Sequence, residues 1–191
     1  MAEVVLFHHA QGQTEGFLAL ADELRGAGHE VHAPDLYDGK TFETLDDGVA
    51  HAKQVGFDVI LERGMAAGQD LPAELVYAGL SLGVMPAQKL AQTRPGAKGA
   101  VLLHAAFPPA DFGEASPPAV PLQIHLMEDD EFALEGDLDA ARELDRTVEN
   151  AALFLYAGDR HLFTDSSLAD YDERAATLVK QRVIGFLDGI E

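Results

Sequence analysis

The chain has 191 residues, 47% of them hydrophobic, no cysteine, and 33 acidic against 13 basic side chains, for a net charge of −20. That length and hydrophobic content suit one domain with a full core, spanning residues 1–191, and the lack of cysteine excludes disulfides and a thiol nucleophile. So negative a field repels nucleic acid and anionic lipid; with no charged n-region, apolar h-region or membrane-length apolar run, the expectation is a cytoplasmic protein without nucleic-acid or membrane partners, its acidic surface serving solubility.

Residues 4–7, Val-Val-Leu-Phe, form a short continuous apolar run, the mark of a strand covered on both faces. Residues 14–27 place Phe17, Leu18, Ala21 and Leu24 on one helical stripe, with Gly26 and Gly28 as stop signals. A second strand over residues 30–33 halts at Pro34-Asp35. A long helical region over residues 44–67 follows, with Gly56 as its expected kink. Apolar residues 74–78 predict a strand, and residues 84–93 a helix in which Pro86 sits near the start. Further strands are predicted over residues 98–103, 122–126 and 152–156, and helices over residues 137–146 and 166–187. The segment 105–121, carrying Pro108, Pro109, Pro117, Pro118 and Pro121, reads as a loop at a pocket rim. Six strands separated by helical crossovers predict an α/β fold with a mainly parallel sheet and helices on both faces.

In such sheets ligands bind beyond the carboxyl ends of the strands. The polar residues that fall there are His8, His9 and Gln11, then Asp35 and Tyr37, Ser81, His104, Asp129 and Asp130, and His161. Ser81 lies in Gly79-Leu80-Ser81-Leu82-Gly83, between a predicted strand and a predicted helix, which is the sequence form of a nucleophile elbow. A serine hydroxyl is too weak an acid to attack at neutral pH without a general base and a carboxylate that fixes the base's tautomer. His161, just after the last strand, is the best-placed base. The carboxylate comes from Glu128, Asp129, Asp130 or Glu131, among which spacing does not choose. Oxyanion donors are expected from the backbone N–H of Leu82, at a helix N-terminus, and from the loop after the first strand, at Ala10 or alternatively Gln11. His9, Gln11, Tyr37 and Phe132 are expected to line a substrate pocket, with Gln13 nearby. A metal site built from His8, His9, His104 and His125 is disfavoured, because adjacent residues of a strand point to opposite faces. No metal is therefore expected.

The elbow, together with Ala33-Pro34-Asp35-Leu36-Tyr37, Glu128-Asp129-Asp130-Glu131-Phe132 and Gly158-Asp159-Arg160-His161-Leu162-Phe163, resembles the dienelactone hydrolase family of α/β-hydrolases over nearly the whole chain. The resemblance implies a reduced α/β-hydrolase fold, lacking two N-terminal strands, and a cofactor-free hydrolase. It also implies a triad of Ser81, Asp130 and His161, with Asp129 second for the acid, because Glu-x-Asp-x-Phe matches the family's way of building that loop. The family's name-giving enzymes use a cysteine nucleophile, an acidic residue where His9 stands, and an arginine where Asp165 stands. These departures argue against dienelactone as substrate and for a small neutral ester or lactone, cleaved by a monomer or homodimer. The rival expectations are the same triad acting on a non-ester bond, and a noncatalytic binding domain that keeps the elbow for packing.

Overall fold

The computed structural model describes residues 1–113 and 119–190. Six strands, β1 (Glu3–Phe7), β2 (Glu30–His32), β3 (Val76–Leu80), β4 (Gly99–Leu103), β5 (Leu122–Met127) and β6 (Ala151–Tyr156), form one sheet in the order β2-β1-β3-β4-β5-β6. Every pairing is parallel. Because strand side chains alternate, the apolar runs serve both faces: Val5, Phe7, Tyr77, Leu102 and Ile124 enter one core and Val4, Leu6, Ala78, Val101 and Met127 the other. Four helices, α2 (Leu45–Val55), α3 (Phe57–Gln69), α4 (Val84–Thr93) and α5 (Leu138–Thr147), cover the first face. The second is covered by α1 (Glu15–Gly26) and α6 (Glu173–Asp188). No helix among the described residues is long and apolar enough to cross a membrane.

Two predicted helical regions differ in extent. The region expected as one kinked helix is two helices, separated by Gly56 at φ 97°, a left-handed conformation that a helix does not continue through. The closing helix begins at Glu173 rather than residue 166, because Ser167 is held in a turn by Asp165 and the helix starts only where Asp172 accepts the N–H of Ala175 as its cap. The turn at residues 133–137, interrupted by Gly136 at φ 149°, precedes α5. Pro86 is the third residue of α4, where an amide would have no partner within the helix, and its ring fills the space left by Gly64 of α3. Of the proline-rich segment, residues 109–112 form a tight turn with Phe112 packed on Phe107. Pro117 and Pro118 lie outside the described residues.

Helix α3 ends without a basic residue of its own, and Arg94, just past α4, supplies the missing donors. Its guanidinium donates to the carbonyls of Gly68, Gln69 and Leu71 and to the Tyr77 hydroxyl, the last at 2.9 Å. Arg94→Met, which keeps the apolar stem, is expected to cost about 2 kcal/mol. Urea unfolding checks this: the midpoint falls with the slope unchanged, whereas an unshifted midpoint would show that water serves those carbonyls equally well.

Candidate active site

All six strands run the same way, so the segments that follow them gather at one end of the sheet. The chain leaves β3 at Ser81, which adopts φ +50°, and turns through residues 81–83 into α4. A non-glycine residue in the left-handed region is strained and persists only where its surroundings hold it. Here they do, by backbone contact: a Cβ at Gly79 would overlap the carbonyl of Gly83, and one at Gly83 would overlap the carbonyl of Phe7 in β1. The turn therefore lies directly on the neighbouring strand, with the serine hydroxyl at its tip.

His161 follows β6 in a loop anchored by the buried side chains of Leu162 and Phe163. Its Nε2 lies 2.7 Å from Ser81 Oγ, and its Nδ1 lies 2.7 Å from Asp130 Oδ2. With Nδ1–H donating to the carboxylate, Nε2 is left to accept the hydroxyl proton. Asp130 is 2% exposed and receives the N–H of Phe132 on its other oxygen. Glu128, Asp129 and Glu131 all face solvent. The Phe132 ring leans over the imidazole at 4.3 Å between centroids. The chain hydroxyl, imidazole, carboxylate is continuous.

The loop after β1 is built on a second histidine and carboxylate. His9 is fully buried; its Nδ1 accepts the N–H of Gln11 at 3.2 Å, and its Nε2–H donates to Asp165 at 2.8 Å. Asp165 also accepts from the hydroxyls of Thr14 and Ser167 and from the Ser167 amide. Burial alone would raise its pKa, but these hydrogen bonds prevail and hold it at about 2. Asp165 belongs to the His161 loop, so the pair ties that loop to the one carrying Ala10. The Gln11 amide is committed to His9, whereas Ala10 lines the cavity beside Ser81.

That cavity, of about 420 Å³, is bounded by Ser81, His161, Leu82, Ala10 and Phe132, with Ala105 and Phe107 opposite. Val49, Ala52, Phe57 and Met85, from α2, α3 and α4, and the acidic pair Glu135 and Asp137 complete it. Of the four residues expected to line it, only Phe132 does so. His9 is spent on Asp165, and Gln11 donates its side-chain amide to the Phe42 carbonyl. Tyr37 is buried against His8 and His51, where burial pushes its phenol up to about 12. Gln13 binds the Ala33 carbonyl. Asp35 instead caps its own turn through the amides of Tyr37 and Gly39, so Ala33–Tyr37 shapes the end of β2 rather than the pocket. The helical wall was not foreseen, since helical periodicity gives the buried stripe but not which turn overhangs the serine.

The remaining strand-end histidines have separate partners. His8 sits between the Leu36 amide and the His9 carbonyl, and burial takes it down to about 4. His104 meets Thr164 at 2.7 Å. His125 meets the Tyr156 hydroxyl, and burial, then Arg182, lowers it to about 3. They do not gather around a common point; the one group among the described residues close enough to share an ion is Glu3, Glu30 and His32. Arg160 faces solvent and donates to the Tyr171 carbonyl, which makes it a loop tie.

The family model described as the dienelactone hydrolase family matches residues 1–190. No curated protein matches the chain. Among solved structures, a dienelactone hydrolase-like promiscuous phosphotriesterase from metagenomic libraries superposes with TM-score 0.76 at 16% identity, covering 100% of this chain and 87% of its own. A dienelactone hydrolase from Anabaena variabilis gives 0.70 at 18%, covering 99% and 87%. A cold-adapted esterase from an Arctic intertidal metagenomic library gives 0.62 at 18%, covering 95% and 82%. At these identities the likeness is one of fold, an α/β-hydrolase sheet with its helices.

Proposed function

The chain belongs to the dienelactone hydrolase family, and from that membership we propose that it is a serine hydrolase which cleaves a small ester or lactone through an acyl-enzyme, with residues 1–191 acting as one domain. The observation that carries this reading is the unbroken hydrogen-bonded path from Ser81 through His161 to Asp130, with 2.7 Å at each step. Ser81 Oγ attacks the carbonyl carbon as its proton passes to His161 Nε2. Asp130 stabilises the imidazolium, and the amides of Leu82 and Ala10 receive the charge on the carbonyl oxygen. Collapse expels the alcohol, which takes the proton from His161. Water then attacks the acyl-enzyme, gives its proton to the same nitrogen, and releases the acid as Ser81 recovers its hydrogen. In a lactone, alcohol and acid are two ends of one product.

Fluorophosphonate labelling tests the nucleophile. Wild-type protein is expected to label at Ser81, Ser81→Ala not to label, and His161→Ala to label slowly. A parallel screen of p-nitrophenyl esters of graded chain length and of lactones finds the preferred bond. Equal, slow turnover of every substrate by wild type and Ser81→Ala would replace this reading with that of a noncatalytic binding domain.

A further inference from the structure

The cavity above Ser81 has an uneven charge. Glu135 and Asp137 stand on its wall with no lysine or arginine among the described lining residues, while Phe57, Phe107 and Phe132 supply three aromatic rings to the same space. Asp137 is half-buried. The groups that face it are His161, Asp130, Glu135 and the amide of Ala106, and none is a permanent cation. Burial pushes its carboxyl up to about 7; the charges of Asp130 and Glu135 add to the push, and His161 and the Ala106 amide oppose it. A cation entering the cavity would supply the counter-charge that the wall lacks.

We propose that Asp137 and Glu135 select esters that carry an organic ammonium group, seated between the two carboxylates and the aromatic rings while the ester carbon meets Ser81. The inference deepens the serine-hydrolase reading and rests on it. The composition of the wall favours an organic cation over a metal ion. A hard divalent ion requires six or more oxygen ligands, and the wall offers two carboxylates among hydrocarbon. An alkylammonium group keeps an apolar exterior, suits aromatic faces, and needs only a nearby negative charge. The same wall disfavours an anionic substrate, since burying a second negative charge beside Asp137 would cost free energy with nothing to offset it.

The test compares a choline ester with the 3,3-dimethylbutyl ester of the same acyl group, its uncharged isostere. Wild type is expected to prefer the choline ester about tenfold in kcat/KM, and that ratio to fall toward unity in Asp137→Asn and to drop partway in Glu135→Gln. Glu149→Gln, an exposed change at the amino end of β6 and far from the cavity, separates local recognition from the field of the whole protein: its ratio should equal that of wild type. A second measurement needs no variant. Phenyltrimethylammonium should slow fluorophosphonate labelling of wild-type Ser81 more than tert-butylbenzene does. Equal protection by the two compounds, equal turnover of the two esters, or a ratio that Asp137→Asn leaves unchanged would overturn the inference while the hydrolase reading stands. Absence of both labelling and turnover would remove the reading beneath it.

Discussion

Asp130→Asn is expected to lower kcat about 10⁴-fold, with little change in KM and no loss of fold. The Asp130 carboxylate accepts the Nδ1–H of His161 at 2.7 Å and so leaves Nε2 bare toward Ser81. An amide in its place can turn its NH2 toward Nδ1, which moves the imidazole proton to Nε2 and blocks the hydroxyl from giving up its own. The amide also offers no charge to stabilise the imidazolium that forms during attack. Asp129→Asn is the matched control, because Asp129 faces solvent and its backbone N–H, not its side chain, makes its bond, to the Gly158 carbonyl. Steady-state kinetics on the best ester from the screen decides the matter. An Asp130→Asn loss below about tenfold, or an equal loss in Asp129→Asn, would remove Asp130 from the role proposed for it.

Asp165→Ala is expected to destabilise the protein by about 3–5 kcal/mol, because it leaves the buried His9 imidazole and the buried Thr14 hydroxyl without their shared acceptor. The carboxyl's pKa in the folded protein, about 2, lies below its ordinary value of 3.8. The folded state therefore holds its proton less tightly than the unfolded chain does, and the stabilisation is fully present above pH of about 4 and fades as pH falls toward about 2. The stability gap between wild type and variant should follow that course: flat from neutral pH down to about 4, then narrowing. Denaturant melts at a series of pH values measure it. A gap that widens on acidification would mean that the carboxyl is not held as an anion by these donors. Activity should suffer as well, since the same carboxylate ties the His161 loop to the strand end that presents Ala10.

A mainly parallel sheet was legible because its central strands are covered on both faces and so read as apolar runs, as in Val4-Val5-Leu6-Phe7, whereas the edge strand β2, Glu30-Val31-His32, carries only one buried residue. The elbow was legible because the two glycines around Ser81 stand in a recognisable five-residue pattern between a strand and a helix, although the close approach that requires Gly83 is to Phe7 in β1. The acid was harder: four neighbouring carboxylates look alike in a string, and only the path of the loop buries Asp130 and turns the rest outward. The pocket was the least visible part. His9 and Tyr37 fall at the right strand ends, yet depth within the molecule, which sequence order does not encode, takes both out of the cavity. Its actual wall, from Val49 to Met85 and on to Asp137, is assembled by helices and a turn whose placement depends on packing between distant segments. The late start of α6 has a similar cause, since Ser167 is diverted to Asp165, a partner that serves His9 from across the sheet end.

The contact of Gly83 with the Phe7 carbonyl means that Ser81 is aimed by main chain resting on main chain. Much of the cavity wall, by contrast, comes from separate stretches, outside the turn that carries Ser81 and Leu82. Residues 49–57, 105–107 and 132–137 can thus be exchanged to admit a different guest while the attacking oxygen stays where it was. A lineage built on this frame can change its diet without relearning its chemistry.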